Sequence, residues 1–300
     1  MQTFYSNGKL FIIGEYYVLE GAKVFALPTK FGQYLNIKPN DDNKLIWKSF
    51  DSDMTLWYDD EILISDILNN NTTYPEKIKN TLIDILYHAD KLNPNILKTG
   101  YDVETKLTFP RNWGLGTSST LINNIAQWFK INAYELLKLS FGGSGYDIAC
   151  AQNNTPITYK ITNSLPIVSQ VKFDPNFKNK IYFVYLNIKK DSKDAISNFR
   201  KKQKELTHEV IEVSNQTDQL LNITDFEEFK KLIQTYENNL SNVLEIDTIQ
   251  KQLFSDFNGV IKSLGGWGGD FVMVLSEQNP TSYFENKGYK TVLPYEKMIL

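Results

Sequence analysis

Apolar residues recur along this chain in two rhythms. Across residues 75–92, Ile78, Leu82, Ile85 and Ala89 fall three or four positions apart, which predicts an amphipathic helix. The stretch 118–130 has the same helical spacing, and AYELLKLSF at 133–141 predicts a shorter helix. KLFIIG, YYVLE, VFALPTKFGQYLNI, NKLIWKSF and MTLWYDD read differently. They are runs rich in β-branched and aromatic residues, separated by turn clusters such as PNDDN, and they predict an antiparallel sheet. GYDVETKLTF, PITYKIT and PIVSQVKF add further strands.

The pattern changes near residue 175. A strand, KIYFVYLNI, is followed by long helices expected at 192–220, 225–243 and 247–263, then by strand FVMVL, a short helix and a last strand near YKTVL. Strands at both ends with helices between them predict a two-layer α+β arrangement. The expected domains are therefore 1–174 and 175–300, with no internal repeat.

With 300 residues, 42% hydrophobic and 13% aromatic, the chain can fill a sizeable core in each domain. A net charge of −3 gives no electrostatic footprint for nucleic acid or an anionic membrane. The amino terminus lacks a basic region ahead of an apolar core, and no apolar window approaches the roughly 20 residues of a membrane helix. A cytoplasmic protein is the expectation. Cys150 is the only cysteine, which excludes an intramolecular disulfide and a zinc site built on several thiolates. Cys150 reads as a small core residue, and His88 and His208 sit in expected helices with no motif around them. A hydrolase of the triad type is not expected.

Three glycine runs carry the candidate chemistry: PRNWGLGTSST at 110–120, GGSGYDIA at 142–149 and SLGGWGGD at 263–270. Gly114 and Gly116 permit positive φ and close approach, and Thr117, Ser118 and Ser119 bring hydroxyls to a helix start. Free amides there, with the helix macrodipole, suit an anion such as phosphate. GLGTSS by itself is equally consistent with an ordinary capped loop. It lacks the lysine of a Walker motif and the third glycine of a dinucleotide fingerprint.

Taken in order, GKLFIIGEYYVLEG, PRNWGLGTSST, GGSGYDIA and SLGGWGGDFVMVL resemble the motifs of the GHMP small-molecule kinases, named after galactokinase, homoserine kinase, mevalonate kinase and phosphomevalonate kinase. Their spacing spans nearly the whole chain. The first and last motifs look most like the mevalonate and phosphomevalonate kinase branch, and GYDIA like a distinct bacterial subgroup. The resemblance implies an amino-terminal ATP-binding domain with a left-handed βαβ unit and a ferredoxin-like carboxy-terminal domain. It implies ATP and Mg²⁺ as cofactors and a small-molecule acceptor bearing a hydroxyl or phosphate. Gly114, Leu115, Gly116, Thr117, Ser118 and Ser119 would wrap the ATP phosphates, with the Ser118 hydroxyl near the metal. Asp147 falls on the family's catalytic aspartate and Lys9 on the lysine that accompanies it. Those residue types suit phosphoryl transfer, in which positioning and charge neutralisation do most of the work.

Other positions keep two readings. Glu15 and Tyr16 follow Gly14 where relatives place acceptor-site residues, but a buried ion pair with a packed tyrosine fits equally. Gly266 and Trp267 of the third run would lie beside the substrates, with Trp267 either crowding the phosphates or walling a pocket. Trp113 is a candidate adenine wall. Mevalonate kinases carry a magnesium-binding glutamate ahead of the SG.D motif. Here that register holds Leu136, with Glu135 one residue away, so the metal would rest on Ser118 and phosphates. A diphosphomevalonate decarboxylase-like enzyme and a non-catalytic nucleotide-binding regulator are the competing readings on the same fold.

Overall fold

Runs of β-branched and aromatic residues form long early strands, β1 at Gln2–Ile13 and β2 at Val24–Asn40, each largely buried over part of its length, in the computed structural model, which describes residues 1–188, 199, 206–265, 267 and 269–300. There follow β3 (Lys44–Phe50), β4 (Leu56–Leu63), α1 (Ile64–Leu68), α2 (Lys77–Leu92) and β5 (Gly100–Leu107). Next come α3 (Thr117–Phe129), α4 (Ala133–Ser140), α5 (Tyr146–Gln152), β6 (Ile157–Thr162), β7 (Leu165–Gln170) and β8 (Ile181–Tyr185). The remainder is α6 (Thr207–Leu220), α7 (Phe226–Leu244), α8 (Ile249–Leu253), β9 (Val260–Leu264), β10 (Phe271–Leu275), α9 (Thr281–Asn286), β11 (Val292–Pro294) and α10 (Tyr295–Met298).

Local chemistry sets several of these boundaries. Glu76 accepts from the Ile78 amide at the start of α2, Asn132 from Tyr134 at α4, and Asp225 from Glu228 at α7. Such caps satisfy helix-end amides that have no partner inside the helix. In α7 the residues Phe226, Phe229, Ile233, Tyr236, Leu240 and Leu244 are all buried, a stripe at helical spacing that also carries Glu237 inward.

The chain forms two compact units, each discontinuous in sequence. The first comprises Met1–Gly8, Phe31–Arg111 and Leu115–Gln152, and the second Lys9–Lys30, Asn112–Gly114 and Asn153–Leu300. In the first unit β5 pairs antiparallel with the later part of β2 and parallel with β3, which pairs antiparallel with β4. The parallel pair is joined through β4, α1 and α2. Leu35, Trp47, Ile62 and Val103 of the strands share one core with Leu86 of α2, Ile125 and Phe129 of α3, and Leu136 of α4. Each such side chain, fully buried, contributes about 1.5–3 kcal/mol.

In the second unit the early part of β2 pairs with β6, which pairs with β7. A separate four-stranded antiparallel sheet has the order β11-β8-β10-β9. Numbered within that segment, the order is 4-1-3-2 with helices after its first and third strands. That is the ferredoxin-like βαββαβ arrangement expected for this region. Val184, Ile261, Val272 and Val274 of its strands pack with Phe254 and Phe284 in one core.

Two expected elements are corrected. YYVLE is a 3-10 turn at Tyr17–Glu20, not a strand, because Gly14 at φ 106° and Tyr16 at φ 67° turn the chain away from the extended path that ends at Ile13. The helix expected over 247–263 is short α8 followed by β9, all of whose residues are buried. A five-residue apolar run such as VIKSL carries no periodicity that separates a buried strand from a buried helix. The expected helix at 192–220 is seen as α6 from Thr207, and residues 192–198 and 200–205 lie outside the described residues. Among the described residues no helix is long and apolar enough to cross a membrane.

Candidate active site

The second of the three motifs opens α3. Gly116 is the N-cap, at φ 96° and ψ 39°, and no side chain caps the helix. A left-handed N-cap is a conformation that glycine adopts without steric cost. The first amide of α3 with a backbone partner is that of Thr120, which donates to Gly116 O at 3.0 Å. Among the described residues the amides of Thr117, Ser118 and Ser119 have no acceptor, which leaves them for an external one at the positive end of a 13-residue helix. Ser118 is exposed and its neighbours Thr117 and Ser119 are half-buried, so both amides and hydroxyls are accessible, while Leu115 beside them is buried. This donor set fits a phosphate group.

A buried polar network in the first unit fixes that helix. Thr120 Oγ1 donates to Gln33 Oε1 at 2.8 Å, and Asn124 Nδ2 donates to Gln33 O at 2.9 Å. Ser6 Oγ donates to Asn124 Oδ1 at 2.7 Å and accepts from Asn123 Nδ2 at 2.8 Å. Gln152 Nε2 of α5 closes the network on Asn123 Oδ1 at 2.9 Å. The helix with the free amides and the helix with Asp147 are thereby tied together. Asp147 lies in the first turn of α5, half-buried, directly after the second glycine run.

The other candidates belong to the second unit. Lys9 is a half-buried residue of β1. Gly114 sits at φ 69°, and a Cβ there would stand 2.5 Å from Asp270 Cγ, so only glycine fits against this carboxylate. Asp270 is buried and itself has φ 53°; its amide donates to Ile188 O at 2.6 Å. Trp113 is half-buried, with its ring 5.3 Å from Phe271 and 6.4 Å from Tyr185. Trp267 is buried; its amide donates to the Tyr16 hydroxyl and its indole Nε1 to Asp247 O, both at 3.3 Å. Gly266 lies outside the described residues.

Glu15 and Tyr16 are built into the interior of this unit. Glu15 is 3% exposed and pairs with the Lys262 ammonium, which is fully buried on β9. Tyr236 of α7 donates to Glu15 Oε2 at 2.8 Å and accepts from the Gly14 amide at 2.9 Å. A second carboxylate, Glu237, has Oε2 3.8 Å from Lys262 Nζ and accepts at Oε1 from the Ser263 amide at 2.9 Å. Burial pushes the Glu237 carboxyl up to about 7, against the opposing pull of Lys262 and the Ser263 amide. Burial likewise pushes the Tyr16 hydroxyl up to about 12. Glu15 thus stands in a buried ion pair, and Tyr16 is a packed tyrosine stacked on Phe199.

Lys262, Tyr236, Glu237 and Asp270 were not singled out from the sequence. The lysine within the apolar run VIKSL was the one available signal, since a charge there must be paired or destabilising.

Ser118, the expected metal ligand, is exposed in the first turn of α3. Glu135 is exposed in the first turn of α4, and Leu136 is buried in the core. Among the described residues no group of three or more His, Cys, Asp or Glu side chains is arranged to hold a metal ion.

No family model matches the chain. A curated galactokinase from Fusobacterium nucleatum subsp. nucleatum is 27% identical over 123 residues, which span 40% of this chain and 30% of that protein. Among solved structures, a mevalonate kinase superposes with TM-score 0.72 at 18% identity, covering 97% of each chain. The phosphomevalonate kinase of Streptococcus pneumoniae, in complex with phosphomevalonate and AMPPNP, gives TM-score 0.70 at 15% identity over 96% of this chain and 95% of that one. The architecture is therefore the two-domain fold of the GHMP kinases.

Proposed function

We propose that this protein is an ATP- and Mg²⁺-dependent kinase that phosphorylates a small molecule bearing a hydroxyl or phosphate acceptor. The observation that carries the reading is the uncapped start of α3, where the amides of Thr117, Ser118 and Ser119 are available behind a left-handed Gly116. Such an array binds a polyphosphate without a lysine. The fold adds support, because the mevalonate and phosphomevalonate kinases that share it act on acceptors of this class.

Bound ATP supplies the phosphoryl group, and Mg²⁺ at its phosphates offsets their charge. The 114–119 loop would hold the triphosphate, and the Ser118 hydroxyl would serve as a ligand to the metal. Asp147 orients the acceptor hydroxyl and takes its proton as the new O–P bond forms and ADP leaves. Lys9 offsets charge on the transferring group. The ties from α3 through Asn123 to Gln152 hold Asp147 in place relative to the phosphate loop.

A coupled assay of ADP release across mevalonate, phosphomevalonate, homoserine and simple sugars tests this, with the first two as the leading candidates. One of these acceptors should give release above the background ATPase, and none doing so would overturn the reading. Asp147→Asn should lower kcat about a hundredfold or more with ATP affinity little changed. Gly116→Val should abolish stabilisation by nucleotide in a thermal shift assay. Retained stabilisation would move the phosphate site elsewhere.

A further inference from the structure

The backbone at Tyr16 has φ 67° and ψ −48°, and the Tyr17 amide donates to Glu15 O at 2.9 Å. Those two facts define a γ-turn of positive φ centred on a tyrosine, a conformation that costs roughly 1–3 kcal/mol and persists only where its surroundings enforce it. The enforcing groups are all in the second unit. On one side of Tyr16, the Tyr236 hydroxyl bridges the Gly14 amide and the Glu15 carboxylate, and Lys262 holds that carboxylate from β9. On the other, the Val18 amide donates to Gly14 O at 3.0 Å and the Ala22 amide to Tyr17 O at 3.1 Å. The side chain so directed stacks on Phe199 at 5.2 Å and offers its hydroxyl to the Trp267 amide in the third glycine run.

We propose that Glu15, Tyr236 and Lys262 are positioning residues: they hold Tyr16 in its strained turn so that its hydroxyl fixes Trp267, and Glu15 makes no contact with the acceptor. Both oxygens of Glu15 are already engaged by groups of the protein, Oε1 by Lys262 and Oε2 by Tyr236. At 3% exposure it offers no surface to a small molecule. A substrate hydroxyl could be bound there only by displacing one of two buried partners, which leaves that partner's polar group unsatisfied. The strain at Tyr16 is thus offset by the ion pair, and what it secures is the placement of Trp267. This assignment rests on the kinase reading only in treating the first and third motifs as parts of the substrate site.

The experiment has one arm that needs no activity. Tyr236→Phe removes only the hydroxyl shared by Gly14 and Glu15. In hydrogen exchange it should speed the Tyr17, Val18 and Trp267 amides about fivefold or more, with the core amides of β10 unchanged. Unchanged exchange at all three would overturn the proposal. The second arm uses whichever acceptor the wild type phosphorylates. Glu15→Gln and Tyr236→Phe should each lower kcat about tenfold or more while the KM for the acceptor stays within about twofold, and the double variant should be no worse than the worse single. A raised acceptor KM in Glu15→Gln alone would show that Glu15 touches the acceptor and would overturn the assignment. Should Glu15→Gln fail to fold, Tyr236→Phe carries both arms. If the wild type phosphorylates nothing, the kinase reading fails and the exchange arm still decides whether these residues hold the turn.

Discussion

Each of the two units contains a buried polar region, and the two are built on opposite principles. Beneath α3, Ser6, Gln33, Thr120, Asn123, Asn124 and Gln152 form a network of neutral amides and hydroxyls, none with a buried atom lacking a partner. In the second unit, Glu15, Glu237 and Lys262 place two carboxylates around one ammonium. There Glu237 Oε2 and Ser263 Oγ are left without hydrogen bonds. A neutral network rigidifies at modest cost and ignores pH. A charged cluster with an odd count pays heavily for desolvation and must keep a proton in play. The first device suits a helix that must not move, as α3 must if it binds phosphate as proposed, and the second can hold a strained turn against its own preference.

Removing the single cation should have the largest effect. Lys262→Met leaves two buried carboxylates uncompensated and should cost about 3–5 kcal/mol in urea unfolding; a loss below about 1 kcal/mol would mean that the cluster is not balanced by this lysine. Next comes Glu237→Gln, whose effect depends on pH. The folded carboxyl is raised from 4.5 to about 7, so the folded state keeps a proton that the unfolded chain releases. Its stabilising contribution is full below about pH 4.5 and is lost as pH rises through 7. Glutamine cannot lose it, and the variant should match the wild type near pH 4 and exceed it at pH 8 by up to about 3 kcal/mol. Equal stability at both pH values would place the titrating proton elsewhere.

The neutral network predicts a flat response. Asn123→Ala strands partners on Ser6 and Gln152 and should cost about 1–3 kcal/mol, the same at pH 5 and pH 8. A pH-dependent loss would erase the contrast between the two regions. The smallest effect sets the zero of the scale: Glu135→Gln, at an exposed carboxylate on α4, should leave both stability and the Mg²⁺ requirement for nucleotide binding unchanged. A large rise in the Mg²⁺ needed would make Glu135 a metal ligand.

Much of the architecture was legible because its signals are local. The stripe from Phe226 to Leu244 and the glycine-hydroxyl start at 114–119 report a buried face and a helix opening through nearest neighbours alone. YYVLE was misread because its aromatic and β-branched content favours a strand, whereas the tertiary bonds to Gly14 and Glu15 demand a turn. VIKSL was misread because its length cannot carry a helical or strand rhythm. Glu15 remained open for a deeper reason. Whether a carboxylate faces a substrate or an interior lysine depends on a partner far along the chain, and no local pattern names that partner.

The division of β2 bears on how the protein is made. Its early residues belong to the second unit and its later residues to the first. Thr29 forms a bridge with Ile299, and the Leu300 amide donates to Pro28 O. As the chain leaves the ribosome, the first unit has all of its residues once Gln152 emerges, whereas residues 9–30 gain β6 shortly afterwards and complete their contacts only with Tyr236, Lys262 and Ile299. Until β6 is made, the early part of β2 lacks that neighbouring strand, the condition in which nascent chains associate wrongly. Assembly of the second unit is consequently a late, long-range closure, slow by topology rather than by any weakness of its core.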